Sequence, residues 1–363
     1  MSVMAMGFFG KLFGGGLSGS CVGVDIGTTS IKMAELAFEN GATRLVNYGT
    51  LETFGSLERD NLALQASSLK LFERETVRYL KHLAERTGIS TRKAVASLPA
   101  FAVFSTVLEI PPMPEKEIPQ ALQFKARQYI PLPIGSVSLD WVRVGEQKVL
   151  LLAVPNDLIA KYQSIFSSAG FSLAGLEVEG VSSARALTVS GGEDDGPALI
   201  IDIGARSTGI SVADKGLLLL AGQTDFSGAT FTHGIASGLG LAPRRAEGLK
   251  RERGLVNVGI GADQELSTLL FPLVDAMLDE AKRLRERYVS SYGGDVKRVI
   301  LAGGGANMPG LSGYVAERFG IPATQASPYR GIIHSSQAEA LLVPLGPSLA
   351  VAIGAGLRER PSA

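Results

Sequence analysis

An internal repeat constrains this chain more than any other feature. Cys21-Val-Gly-Val-Asp25-Ile-Gly27-Thr28-Thr29-Ser30-Ile-Lys32-Met-Ala-Glu-Leu36 reads as an apolar β run, an Asp at its end, a glycine turn and a second, alternating β run. Ala198-Leu-Ile-Ile-Asp202-Ile-Gly204-Ala205-Arg206-Ser207-Thr208-Gly-Ile-Ser-Val212 repeats it, with Asp202 standing 177 residues after Asp25. Two hairpins with the same Asp-Ile-Gly turn predict an α/β chain of two lobes built to a common design, and 363 residues suit two lobes better than one core.

The turns have a chemical reading. Glycine lets a hairpin bring its N–H groups close to an anion, neighbouring Ser and Thr hydroxyls add donors, and an Asp at the strand end is placed to hold hydrated Mg²⁺ beside phosphates. For one copy, ordinary turn chemistry is an equal reading; the second copy favours the site. A third element, Val299-Ile-Leu-Ala-Gly303-Gly304-Gly305-Ala-Asn307-Met-Pro309-Gly-Leu311, reads as strand, glycine loop and helix, an arrangement that admits a flat base or ribose. No Gly-x-x-x-x-Gly-Lys-Ser/Thr occurs, so this is not a P-loop chain.

Composition excludes other classes. The 35 Lys and Arg balance 35 Asp and Glu, which argues against nucleic acid as the main partner. The single cysteine, Cys21, permits neither an internal disulfide nor a multi-cysteine metal site, and His82, His233 and His334 are not at ligand spacing. Residues 1–18, with Phe8, Phe9, Leu12 and Phe13, read as a flexible segment rather than a cleaved signal. Ala340–Leu357, broken by Pro344, Gly346 and Pro347, reads as a buried helix or closing strand rather than a membrane span. Lys282, Arg283, Arg285 and Arg287 interleave with Glu280 and Glu286, as on an ion-paired helix face.

In order and separation, the two hairpins and the glycine loop resemble the phosphate-1, phosphate-2 and adenosine motifs of the actin-like ATPase superfamily. Phe226–Thr232, Gly238-Leu-Gly240 and Ala246-Glu247-Gly-Leu-Lys250-Arg251 resemble the helical stretch whose Ala-Glu-x-x-Lys element touches ribose and base in bacterial members. Ala94-Val-Ala-Ser-Leu-Pro99, Ile110-Pro-Pro-Met-Pro-Glu115, Ala126-Arg-Gln-Tyr-Ile130-Pro-Leu-Pro133, Leu139-Asp140-Trp141 and Val149–Pro155 are similar to the inserted subdomain of the PilM family of type IV pilus proteins, relatives of FtsA. Phosphate loop 2 departs from the glycine-rich pattern of chaperone relatives, because Ala205 and Arg206 are bulkier.

The resemblance implies an actin-like fold: a first lobe over 19–92 and 173–190, an α+β insert over 93–172, and a second lobe over 196–363 with a helical part at about 226–296. It implies ATP with Mg²⁺ between the lobes. Gly27, Thr28, Thr29, Ser30 and Lys32, and Gly204, Ala205, Arg206, Ser207 and Thr208, would face phosphates. Glu247, Lys250, Gly303, Gly304, Gly305 and Asn307 would face adenosine. Asp25 and Asp202 would hold the metal, and Asp202 with Glu179 would serve hydrolysis, Glu179 reading equally as a surface residue. Turnover is expected to be slow or absent. The partner implied is the cytoplasmic N-terminal peptide of the inner-membrane protein PilN, with pilus platform proteins and motor ATPases beyond it, at the cytoplasmic face of the inner membrane. Phe101, Phe104, Val107, Leu132 and Ile134 read as groove lining or as core of the insert. The competing reading is an active ATPase of another branch, such as an FtsA-like cell-division or type II secretion relative.

Overall fold

The computed structural model describes residues 19–52, 66–189, 196–256 and 262–361. The 1–18 segment and residues 191–195, between the two lobes as read from the sequence, lie outside them. Two five-stranded sheets share one topology. The first runs β3(Ala42–Glu52), β2(Ser30–Glu39), β1(Ser20–Ile26), β4(Lys93–Leu98) and β8(Ser172–Val178). The second runs β11(Leu217–Thr224), β10(Thr208–Asp214), β9(Ala198–Ile203), β12(Arg298–Ala302) and β13(Ala323–Gln325). In each, three strands form an antiparallel meander and the central strand pairs in parallel on its other side. The duplication extends into the second turn of each meander. Asn40-Gly41 and Lys215-Gly216 all have positive φ, the backbone of a tight two-residue hairpin.

Helices α1(Ala66–Thr87), α2(Ile118–Tyr129), α3(Asn156–Ala169), α4(Glu179–Thr188), α5(Gly228–Leu239), α6(Pro243–Glu252), α7(Ala262–Tyr292), α8(Leu311–Phe319) and α9(Ser336–Leu357) complete the chain. The lobes exchange helices: α4 leaves the first sheet and packs on β10 and β11 of the second, while α9 packs on β1, β2 and β4 of the first. α9 is the one helix among the described residues long and apolar enough to cross a membrane, yet its second half is buried between β1 and α4. Its Ala/Gly composition makes that fit possible. A Cβ on Gly23 would lie 1.8 Å from the Ala352 carbonyl oxygen, and one on Gly354 1.9 Å from that of Ser182, so strand and helices touch backbone to backbone.

The sequence reading put β4 at the head of the insert; it lies instead in the first sheet, paired in parallel with β1 and β8. Ala94, Val95 and Ala96 are all buried, as a central strand requires. α3 likewise packs on α1 and β8. Between them, β5(Phe104–Glu109), β7(Lys148–Pro155) and β6(Val137–Gly145) form a separate antiparallel sheet. Alternation gives β7 two apolar faces: Val149, Leu151 and Ala153 pack under α2 with Ile118 and Leu122, whereas Leu150, Leu152 and Val154 join the main core. On α7, Arg283 pairs with Glu280 at 2.5 Å and Arg285 with Asp295 at 2.6 Å, an ion-paired surface.

Candidate functional site

β1 and β9 deliver Asp25 and Asp202 to equivalent ends of the two sheets, but register gives them different surroundings. Asp25 stands opposite Lys32 on β2, whose Nζ lies 2.9 Å from Oδ2, and the Ser97 hydroxyl of β4 donates to Oδ1 at 3.0 Å. Asp202 stands opposite Gly209, so no cation faces it across the hairpin. Glu179 opens α4, directly after β8, and its Oε2 accepts the Ala100 N–H at 3.1 Å. It is half-buried between the sheets, so the surface reading of Glu179 does not hold.

These groups form one electrostatic unit. Burial, with Asp25 and Asp202 nearby, pushes the Glu179 carboxyl up to about 8. Burial and Asp25 push Asp202 up to about 7, with Lys32 pulling the other way. Burial alone would lower the Lys32 ammonium; Asp25, with Asp202 and Glu179 behind it, outweighs that and holds it above its ordinary value. Three carboxylates against one lysine leave the cleft short of positive charge. Among the described residues no three carboxylate or histidine side chains converge tightly enough to hold a metal alone. A hydrated divalent cation that completes its shell with waters or phosphate oxygens matches this donor set, and the Asp202 carboxylate, with no hydrogen bond among the described residues, is the natural contact.

Both glycine turns close the same way: Gly27 N–H donates to the Ser30 carbonyl at 2.9 Å and Gly204 N–H to that of Ser207 at 3.1 Å. Thr28, Thr29, Ala205 and Arg206 occupy the tips, partly exposed. The second turn is tied to the start of α5, because Gly228 and Ala229 N–H groups donate to the Gly204 and Ala205 carbonyls at 3.0 and 2.8 Å. Thr208 is buried and its hydroxyl donates to the Phe226 carbonyl, so it braces the turn rather than facing the cleft.

Lys250 differs from expectation in a similar way. Its Nζ meets the Gly228 carbonyl at 2.8 Å, Thr232 Oγ1 at 2.9 Å and Glu247 Oε2 at 2.7 Å, which uses all three ammonium protons. Glu247, drawn down to about 2 as Lys250 outweighs its burial, also accepts from Thr232 and Arg251. The pair clamps α6 onto α5 and holds the second turn from behind. The glycine loop lies against β9: Gly303 has φ +79° and a Cβ there would stand 2.5 Å from Asp202 Oδ1, while Gly304 faces open space. The carbonyls of both prolines inside α9 accept from this loop, Pro347 from Gly303 N–H and Pro344 from Asn307 Nδ2, each at 2.8 Å.

Sequence reasoning missed Ser97, Ala100 and Gly228. The first two flank the Leu98-Pro99 break that ends β4, and only a strand paired with β1 carries them to the cleft. Of the apolar residues offered as groove or core, Phe101 and Leu132 are 56% and 42% exposed, Phe104 and Ile134 pack on the insert's core, and Val107 packs on the main core.

The fold resembles solved structures along nearly its whole length. A structure titled as a PilM-PilN type IV pilus biogenesis complex matches with a TM-score of 0.77 at 24% identity, covering 96% of this chain and 100% of the other. The ethanolamine utilization protein EutJ from Carboxydothermus hydrogenoformans matches at 0.54 and 18% identity over 93% of this chain and 89% of its own. MreB 5 of Spiroplasma citri bound to AMPPNP also matches at 0.54, with 14% identity over 93% and 95%. These likenesses establish an actin-like fold. The profile of the family described as type IV pilus assembly protein PilM matches residues 23–360, and with the duplicated turns and the insert in place, the chain belongs to that family.

Proposed function

We propose that this protein is an ATP-binding cytoplasmic adaptor of type IV pilus assembly, which binds the cytoplasmic N-terminal peptide of PilN at the inner membrane and passes that contact on to the platform and its motor ATPases. The observation that carries the nucleotide half is the pairing of two identically closed glycine turns around a carboxylate-rich cleft with a single lysine. AMPPNP in the MreB structure of like fold supports it, as the PilM-PilN complex supports the peptide half.

Mg²⁺ bound there would neutralise the cleft carboxylates and phosphate oxygens together. Asp202 would face it directly, and Asp25, oriented by Lys32 and Ser97, through water. Lys32 and the N–H groups of the two turns would draw the phosphates in, and Gly304 leaves room for a base or ribose beside α9. Glu179 stands where it could orient a water and take its proton, and a carboxyl raised to about 8 holds a proton at neutral pH until a cation lowers it. That favours slow turnover as a second reading, gated by metal.

Calorimetric titration of the full chain with Mg-ATP and with a synthetic PilN N-terminal peptide tests both halves. Saturable binding of each is expected. Failure of the peptide to bind would remove the adaptor role, and failure of ATP would leave a peptide-binding scaffold. Turnover that Glu179→Gln abolishes, without loss of nucleotide affinity, would establish the enzymatic reading.

A further inference from the structure

β11 is the outermost strand of the second sheet, yet Leu218, Leu219 and Leu220 are all buried, which an open edge strand does not allow. The cover is shared: α4 and α7 pack on the faces of β11, and the insert closes the rest. β5, β6 and β7 pack against β11, and one apolar cluster runs without a break from Leu150, Leu152 and Val154 of β7 and Val144 of β6 into Leu218–Leu220. At the end of this contact, Lys148 Nζ donates to the Ser291 carbonyl of α7 and stands 4.6 Å from the centre of the Tyr292 ring. Tyr292 stacks on Tyr288 at 5.0 Å and its hydroxyl meets the Leu219 carbonyl at 3.4 Å. The insert is therefore joined to the first lobe by chain connection, through β4 and α3, with β7 packed on α3, and to the second lobe by packing alone.

We infer that the seat of the insert on the second lobe, made by Lys148 on Ser291 and Tyr292 and by β7 over β11, is the contact through which nucleotide in the cleft and a peptide on the insert change each other's affinity. The inference rests on the reading of the cleft and insert given above. A ligand that draws the lobes together must either carry the insert with the second lobe or break this seat, and a peptide that prefers one arrangement biases the other by the same factor. The apolar part resists sliding, because packed surfaces have discrete arrangements. Lys148 is the polar catch at its rim.

Lys148→Met keeps the stem and removes the donated bond and the charge over the ring; Tyr292→Leu removes the ring and keeps bulk. Neither lies in the cleft. With full-length protein, the affinity for the PilN peptide is measured with and without saturating Mg-AMPPNP. The wild type is expected to show a ratio of at least about fivefold, and both variants a ratio within about twofold of one, with nucleotide affinity alone unchanged. An unchanged ratio in the variants overturns the inference, and so does a wild-type ratio of one when both ligands bind. Hydrogen exchange provides a readout that needs no nucleotide: peptide alone should slow exchange over 217–224 and 288–292 in wild type but not in Lys148→Met. Exchange there that ignores bound peptide overturns the inference at the seat itself, whereas absent nucleotide binding with the exchange effect intact overturns the reading of the cleft and with it the nucleotide arm of the coupling, leaving the seat as the path from peptide to second lobe.

Discussion

Replacing Glu179 by Gln should make the nucleotide-free protein more stable at high pH, although it removes an ionisable group from the cleft. The wild-type carboxyl holds its proton up to about pH 8 when folded but loses it near the ordinary glutamate value when unfolded. Because the folded pKa is raised, this group's contribution is fully present below the unfolded value and is lost progressively as pH rises to about 8. Between about pH 6 and pH 8.5 the loss has a ceiling of roughly 3 kcal/mol at about 1.4 kcal/mol per pH unit. Glu179 opens on one side to the cleft, and Asp25 and Asp202, which help raise it, titrate in the same field, so about 1–2 kcal/mol is the expected size. Gln cannot ionise, and its amide oxygen still accepts the Ala100 N–H at the distance seen for Oε2. Urea unfolding in metal-free buffer should show the variant gaining on the wild type by that amount across the window. Equal pH slopes for the two proteins would refute the argument that burial beside Asp25 and Asp202 governs this carboxyl.

Three further outcomes follow from the same geometry. Lys32→Met removes the one cation from three carboxylates, and Mg-ATP affinity by calorimetry should fall at least about tenfold, about 1.4 kcal/mol or more. Gly354→Val places a Cβ 1.9 Å from the Ser182 carbonyl oxygen and should cost about 3 kcal/mol or more in urea unfolding, since backbone rather than a side-chain tip must move. Phe101→Ser acts on a ring 56% exposed, so stability should shift by less than about 0.5 kcal/mol while PilN-peptide affinity drops; unchanged affinity would take Phe101 out of the docking surface.

What was legible in the sequence is what repeats. Asp25 and Asp202 mark equivalent strand ends because a buried strand followed by a glycine turn has few ways to be built, and the same residues at Gly27 and Gly204 close the same turn bond. Roles set by distant pairing were not legible. Lys250 looked like a nucleotide contact until Gly228 and Thr232, on the neighbouring helix, took its protons. β4 was read into the insert because its short alternation of Ala, Val and Ser carries no mark of which sheet it joins. β7 reads simply as an apolar run, and only the fold reveals that its two faces serve different cores.

The exchange of helices between the lobes also sets an order of events on the ribosome. The side of the first sheet around Cys21, Leu36 and Val95 is closed by Leu342, Leu349, Ala352 and Ile353 of α9, which emerge more than 300 residues after β1. At ordinary elongation rates that apolar side waits roughly 15–60 s without its own cover. The nascent first half therefore lacks the cover an independent folding unit needs, and factors that hold apolar surface are expected to engage it. A ribosome stalled before Ser336 would display an uncovered apolar sheet face, and α9, packed on both halves, is the helix that commits them to the native state together.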